Sequence, residues 1–183
     1  LHVATHLGDG QVGAAVEHPG PVYLRLGRAA GPAIYHADHP FRIGRFDTIK
    51  EGRDVTLVAC GIMVDVCLQA AVALAAEGIL AGVVNASTVK PLDAETLEAV
   101  AIRTGAVVTA EEHSVIGGLG GAVAEFLSSE CPVPVLRVGV LDRFGRSGKP
   151  GELLEAYGLG VTHVADAARR AIALKKDRSA RKR

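Results

Sequence analysis

Short apolar runs that alternate with helix-like segments are the feature that most constrains this chain. The runs lie at residues 55–60, 81–84, 106–110 and 135–140. Strands that are apolar on both faces are typical of a parallel sheet that helices cover on both sides. The sequence therefore predicts an α/β fold: three layers, with a mostly parallel sheet and helices on both faces.

The segments between these runs carry helix start and stop signals. Asp93 is a good N-cap for a helix over 94–103, and Gly105 is placed to end it. A final helix over 164–175 is expected to be capped by Thr162. The remaining predicted elements are a short helix at 11–17, a strand at 22–26, and helices at 65–77, 118–129 and 152–157.

Charge and cysteine content exclude several classes of function. The chain has 20 Lys plus Arg against 20 Asp plus Glu, so it has no general attraction for nucleic acid or acidic membranes. Cys60, Cys67 and Cys131 are odd in number and lack CxxC spacing, which argues against disulfides or a zinc site and fits a reducing compartment. No apolar run is long enough to span a bilayer. We expect a cytoplasmic protein with no metal site of its own; since its only methionine is Met63, we expect a fragment or a processed product.

Two glycine-rich stretches resemble nucleotide-binding loops but fail on spacing. In the stretch 117–121, a GxGxxG pattern would place Val123 at the last glycine position, and two glutamates precede it. The stretch 145–150 lacks the Ser or Thr that follows the lysine of a P-loop. We interpret these glycines as structural, because glycine permits close backbone approach and positive φ.

Polar residues follow the third and fourth predicted strands. Glu111, Glu112 and His113 come after the third strand, and Asp142 and Arg143 come after the fourth. Function collects at this edge of open parallel sheets. A histidine beside two carboxylates could act as an acid or base. The alternative is a hydrogen-bonded interface with another domain, which we favour because no nucleophile or metal cluster accompanies these residues.

Several motifs together resemble a known family. Residues 109–120, TAEEHSVIGGLG, look like the TxEEHSIIGGLG of small-subunit transketolases, and residues 142–148 are similar to the DRFGxSG loop of the same enzymes. Residues 89–93 resemble the TxKPLD turn, which transketolases share with 1-deoxyxylulose-5-phosphate synthases and the β subunit of 2-oxo-acid dehydrogenases. Residues 20–28 resemble the end of the family's pyrimidine-binding domain. The chain thus resembles the C-terminal portion of a thiamine-diphosphate-dependent transketolase.

The resemblance implies a division of labour. Transketolases move a two-carbon ketol unit between sugar phosphates, using thiamine diphosphate and magnesium that other domains mainly bind. The resemblance implies that the partner of this chain is an N-terminal subunit or a set of upstream domains, and that the complete enzyme is a homo-oligomer. It also implies that the isolated chain has no activity and no catalytic residues of its own. Arg28 matches the family arginine that contacts the substrate phosphate, and a guanidinium suits that role. A synthase or dehydrogenase β-subunit fragment, or a free-standing binding or regulatory domain, stays open.

The resemblance and the composition together predict four regions. Residues 1–28 would be the end of a pyrimidine-binding domain, and residues 29–51 a linker. Residues 52–176 would form the transketolase C-terminal domain, and residues 177–183 a basic tail.

Overall fold

A five-stranded sheet forms the centre of the computed structural model, which describes residues 2–4, 9–26, 32–36 and 39–181. The strand order is β3-β5-β4-β6-β7, and all neighbours run parallel except the antiparallel pair of β3 and β5. The predicted mostly parallel α/β fold is therefore confirmed. The strands are β3 (Asp47–Lys50), β4 (Val55–Ala59), β5 (Ala81–Asn85), β6 (Val107–Ser114) and β7 (Val135–Val140).

Helices on the two faces of the sheet cover two separate hydrophobic cores. Consecutive strand residues alternate between them, as Leu57 and Val58 do, because side chains of a strand point to opposite faces. This alternation explains why the strands are apolar throughout. Helices α2 (Met63–Ala76) and α6 (Val161–Arg181) pack in one core, and α3 (Ala94–Thr104) and α4 (Leu119–Glu130) pack in the other. The short helix α5 (Pro150–Ala156) follows β7.

The N-terminal part forms a separate pair of parallel strands. These are β1 (His2–Ala4) and β2 (Leu24–Leu26), with helix α1 (Asp9–Glu17) between them in sequence. The helix predicted at 11–17 and the strand predicted at 22–26 both occur, with slightly different ends.

Both ends of α3 match the sequence signals. The Asp93 carboxylate accepts a hydrogen bond from the backbone N–H of Thr96 at 3.1 Å, and Gly105 is left-handed with φ 64°. The same carboxylate accepts the backbone N–H of Phe46 at 2.7 Å. Asp93 therefore ties the segment before β3 to the start of a helix.

The predicted linker over 29–51 is wrong for its last residues, because Asp47–Lys50 is the edge strand β3. Gly44 N–H donates to Thr88 Oγ1 at 3.2 Å, and Phe46 is buried. The strand was missed because an edge strand needs little apolar sequence, and this one contributes only Ile49 to the core.

Helix α6 is longer than predicted and includes most of the residues assigned to a basic tail. It starts at Val161, so Thr162 lies inside the helix rather than capping it. It continues to Arg181, since residues 173–181 contain neither glycine nor proline. Lys175 Nζ donates to the carbonyl oxygen of Thr104 at 2.7 Å, which anchors the C-terminal third of the helix.

Candidate interaction site at the carboxyl edge of the sheet

The topology creates a crevice at the carboxyl ends of β4 and β6. Strand β4 is central, and the chain leaves it toward β5 on one side before it returns to β6 on the other. Such a switch point is where ligands bind in open α/β sheets. Two cavities open at this edge.

Strand β6 extends through the residues that were predicted to follow the third strand. Glu111, Glu112 and His113 lie inside the strand, because Ser114 still pairs with Val140 after an irregular register. A strand sends neighbouring side chains to opposite sides. Accordingly Glu112 lines one cavity, while Glu111 and His113 line the other.

The smaller cavity, about 230 Å³, lies between β2 and the central sheet. Arg25 of β2 and Tyr23, just before that strand, line it on one side. Cys60, just after β4, and His113, near the end of β6, line it on the other. Arg25 Nη2 donates to the backbone oxygen of Glu112 at 3.1 Å and so connects β2 to β6. Burial raises the pKa of Cys60 to about 12, which keeps it a thiol and makes it a poor nucleophile.

Glu111 lines the smaller cavity and holds the start of α4. Its side chain is buried, and its two carboxylate oxygens accept the backbone N–H groups of Leu119 and Gly120, each at 2.7 Å. Burial raises the pKa of Glu111, against the opposing effects of those two N–H groups, His113 and Arg137. The first N–H groups of a helix attract anions. Here an internal carboxylate already occupies them, so the glycine-rich stretch is a helix start and not a phosphate loop.

Gly118 and Gly120 lie so close to neighbouring atoms that neither position has room for a side chain. A Cβ on Gly120 would lie 2.7 Å from Thr109 Oγ1 and 2.9 Å from Arg137 Cδ, and a Cβ on Gly118 would collide with the Glu111 carboxylate. The prediction that these glycines let a helix start close to its neighbours agrees with these distances.

The larger cavity, about 620 Å³, is an open trough beside the β7–α5 loop. Its floor is apolar, and its charged lining residues are Glu112 and Arg143. Tyr157 OH donates to the backbone oxygen of Phe144 at 2.8 Å, which fixes the loop, while the Phe144 side chain is 100% exposed. The apolar lining consists of Ile62, Val140, Leu153, Leu154 and Leu159, with Tyr157 beside them.

The structure does not bring the predicted site residues together in one place. Glu112 and Arg143 share the larger cavity, and His113 lines the smaller one. Asp142 lines neither of these cavities and has a left-handed backbone with φ 45°. Arg28 lies outside the described residues, so its predicted contact with a substrate phosphate stays a prediction.

Sequence reasoning missed Arg25 and Cys60 as cavity residues. A single cation inside the alternating segment 22–26 was the signal for Arg25, and a cysteine directly after the central strand was the signal for Cys60. The sequence alone could not show that the two residues line the same cavity, because β2 belongs to a different sheet from β4.

Neither a cluster of metal-ligating side chains nor a membrane-spanning helix occurs in the described part of the chain. Over residues 2–4, 9–26, 32–36 and 39–181, no three His, Cys, Asp or Glu side chains are grouped in a way that could hold a metal ion. No helix within those ranges combines the length and apolarity that crossing a bilayer requires.

Comparisons with known proteins agree on one family. The chain matches the family model of the transketolase C-terminal domain over residues 44–164. It is 50% identical over 151 residues to the 6-deoxy-6-sulfo-D-fructose transketolase subunit SqwH of Clostridium sp. strain MSTE9, covering 82% of this chain and 47% of that protein. It is 42% identical over 158 residues to a 1-deoxy-D-xylulose-5-phosphate synthase of Heliobacterium modesticaldum, covering 85% of this chain and 24% of that one.

A solved structure gives the same result. A split-gene transketolase, described as an inactive β4 tetramer, superimposes with a TM-score of 0.84 and 52% identity, covering 91% of this chain and 54% of that chain. The chain thus spans about half the length of these subunits and about a quarter of the synthase.

Proposed function

The chain belongs to the transketolase C-terminal domain family, and from this premise we propose that it is the C-terminal part of a split transketolase. With an N-terminal subunit or upstream domains, it would support two-carbon ketol transfer between sugar phosphates. The likeness to the split-gene transketolase, 52% identical over nearly the whole chain, carries this proposal.

The proposed contribution of the chain is structural. Thiamine diphosphate and magnesium would be held mainly by the other part, because Glu111 already occupies the α4 N-terminus and the described residues supply no metal cluster. The isolated chain would then be inactive. A related chain described as an inactive β4 tetramer supports this view and supports a homo-oligomer of the complete enzyme.

Arg28 is the one residue proposed to touch substrate. A guanidinium binds phosphate through paired hydrogen bonds. The relative from Clostridium is named for a sulfonated ketose, and a sulfonate is an oxyanion like a phosphate. We therefore assign to this chain ketoses that carry an anionic end group.

Contacts at the carboxyl edge support a role in domain packing. Arg25 joins the N-terminal strand pair to the central sheet through Glu112. Glu112, His113, Asp142 and Arg143 are exposed at this edge and are proposed to lie at contacts with the rest of the enzyme. The proposed boundaries rest on other observations: residues 1–28 are assigned to the preceding domain because β1 and β2 form a separate sheet, and the C-terminal domain is placed from near residue 44, where the family match starts.

A 1-deoxyxylulose-5-phosphate synthase is the second candidate. The match to the Heliobacterium enzyme favours it. Against it stand His113 and the 142–148 loop, which resemble transketolase motifs. The two candidates differ in donor, because the synthase uses pyruvate and a transketolase uses a ketose phosphate.

A complementation assay tests the proposal. Ketol transfer from xylulose 5-phosphate to ribose 5-phosphate is measured with thiamine diphosphate and magnesium, first with this chain and then with the N-terminal half added. Activity in the mixture only is expected. Arg28→Ala should raise the Michaelis constant for the sugar phosphates about tenfold or more, because it removes a charged hydrogen bond to their phosphate group. The control Arg53→Ala, at an exposed arginine, should leave that constant unchanged. Turnover by the chain alone, or turnover of pyruvate only, contradicts the proposal.

A further inference from the structure

The smaller cavity occupies a position that favours ligand binding on two counts. It opens at the switch point between β4 and β6, and it lies between β2 and the central sheet. Ligand sites of α/β proteins concentrate at switch points and between structural units. The volume of the cavity is about 230 Å³. Because an apolar cavity of about 150 Å³ accepts benzene, the smaller cavity has room for a molecule of about six to nine non-hydrogen atoms.

Arg25 brings a positive charge to this cavity without a counter-charge. The residue is half-buried, and its Nη2 group donates to the backbone oxygen of Glu112. In the part of the chain that the structure describes, no carboxylate forms an ion pair with this guanidinium. Its charge acts on the cavity wall, since burial raises the pKa of Cys60 and Arg25 opposes that rise. A half-buried, unpaired guanidinium favours an anion, which it can bind through paired hydrogen bonds.

The two glutamates near Arg25 do not neutralise this charge. The Glu112 side chain lines the larger cavity, while its backbone oxygen contacts Arg25. Both oxygens of Glu111 accept the first N–H groups of α4, and the partial positive charge of that helix start offsets the carboxylate. Burial also raises the pKa of Glu111, which favours its uncharged form. His113 lines the cavity too, and its protonation would add to the positive charge.

The remaining lining is uncharged and offers apolar contacts. Val89 and Leu119 are aliphatic, and Leu119 is buried. Cys60 keeps its proton, because burial raises its pKa to about 12. One cation beside aliphatic walls suits a ligand with a single negative charge and a short alkyl chain. A phosphate dianion fits less well, because its second charge would be buried without a partner.

We propose that the smaller cavity binds a short aliphatic monocarboxylate, with the carboxylate on Arg25 and the alkyl chain against Val89 and Leu119. Such a ligand contacts both β2 and the central sheet, so its binding would strengthen the attachment of the N-terminal strand pair. The site goes beyond the proposed function and does not depend on it. Binding is measured on this chain without ketol transfer, so a failed site leaves the proposed function standing.

Nuclear magnetic resonance of the 15N-labelled full chain, titrated with butyrate, locates the site. The backbone N–H signals of Gly117 and Gly118, which line the smaller cavity, are expected to shift, while those of Gly145 and Gly148, which line the larger one, should not. Butyramide has the same size without the charge and should bind at least about tenfold more weakly. Equal binding of the two probes, or butyrate shifts that are absent from Gly117 and Gly118, overturn the proposal. Tighter binding of inorganic phosphate than of butyrate also overturns it.

Variants of Arg25 test which group binds the carboxylate. Arg25→Gln should weaken butyrate binding at least about tenfold, because it removes a charged hydrogen-bond donor. Arg25→Lys keeps the charge but loses the paired donors, so its affinity should lie between those of Arg25→Gln and the wild-type chain. The control Arg53→Gln, at an exposed arginine, should leave binding unchanged. The signals of residues far from the cavity verify that each variant folds, and butyrate affinity that is the same in all three variants contradicts the role of Arg25.

Discussion

Two buried carboxylates organise the structure at the scale of single residues. Asp93 and Glu111 are 3% and 1% exposed, and each accepts hydrogen bonds from backbone N–H groups at the start of a helix. The N–H groups at a helix start have no partner inside the helix, so a carboxylate there satisfies donors that burial would otherwise leave unpaired. Both residues lie in motifs by which the family is recognised, and their observed role is to hold the fold.

Replacing Asp93 by asparagine should destabilise the chain in a pH-dependent way. Burial alone would raise the pKa of Asp93, but hydrogen bonds from Phe46 and Thr96, together with Arg45, hold it below the ordinary value of 3.8. A carboxyl whose pKa is lower in the folded state adds stability above its unfolded pKa, and that stability disappears as the pH falls through the folded pKa. Asp93→Asn should therefore lower the free energy of unfolding by about 1–2 kcal/mol at neutral pH. The difference between the variant and the wild-type chain should disappear in acid.

Chemical denaturation at a series of pH values measures this difference. Glu98→Gln, on the exposed side of the same helix, is the control and should change the free energy of unfolding by less than about 0.5 kcal/mol. If the loss of unfolding free energy caused by Asp93→Asn stays constant with pH, the charge of Asp93 is not what stabilises the contact.

The roles of Asp93 and of the glycines could be predicted from the sequence because both roles depend on residues that are close in the chain. An N-cap acts within three residues, so Asp93 could be predicted from its own neighbourhood. Glu111 could not, because its partners Leu119 and Gly120 become neighbours only when β6 and α4 pack together. The charged residues Glu111, Glu112 and His113 were therefore placed together after the third strand, although the strand itself continues through them and separates them between two cavities.

At the scale of elements, the start of α4 depends on the absence of one side chain. Gly120→Ala should destabilise the chain by about 1–3 kcal/mol, because its Cβ would press against Thr109 and Arg137. Gly121→Ala places the same methyl group where no atom lies within 4 Å. This control should be neutral or stabilise by up to about 1 kcal/mol, since alanine favours helix over glycine. Denaturation midpoints compare the two, and equal effects would contradict the crowding at Gly120.

The elements that sequence patterns missed are those with little apolar content. Strand β3 and the end of β6 are polar, and they are strands because a neighbouring strand offers hydrogen bonds. The extension of α6 lacks an apolar pattern, and it follows from helix-forming residues and the Lys175 contact. The parallel strands and the helices packed on them were predicted because each buries a periodic apolar face.

At the scale of the whole molecule, the segment from Gly44 to Lys50 decides where the folded unit begins. Its backbone donates to Thr88 and Asp93, and β3 covers the outer edge of β5. A chain that starts at residue 42 should therefore keep the stability of the C-terminal domain. A chain that starts at residue 52, the boundary expected from sequence, should lose at least about 2 kcal/mol, because it gives up a buried hydrogen bond to a carboxylate and exposes a strand edge.

Urea denaturation of the two truncated chains, with light scattering to follow aggregation, measures this difference. The longer chain serves as the control, because both lack the N-terminal strand pair and differ only in residues 42–51. Greater aggregation of the shorter chain is expected, since an uncovered β5 edge can pair with other chains. If the two chains unfold at the same denaturant concentration, β3 is an accessory strand and the domain begins at β4. If only the shorter chain fails, residues 42–51 belong to the domain, and any reconstitution of the proposed enzyme from separate pieces must keep them attached to it.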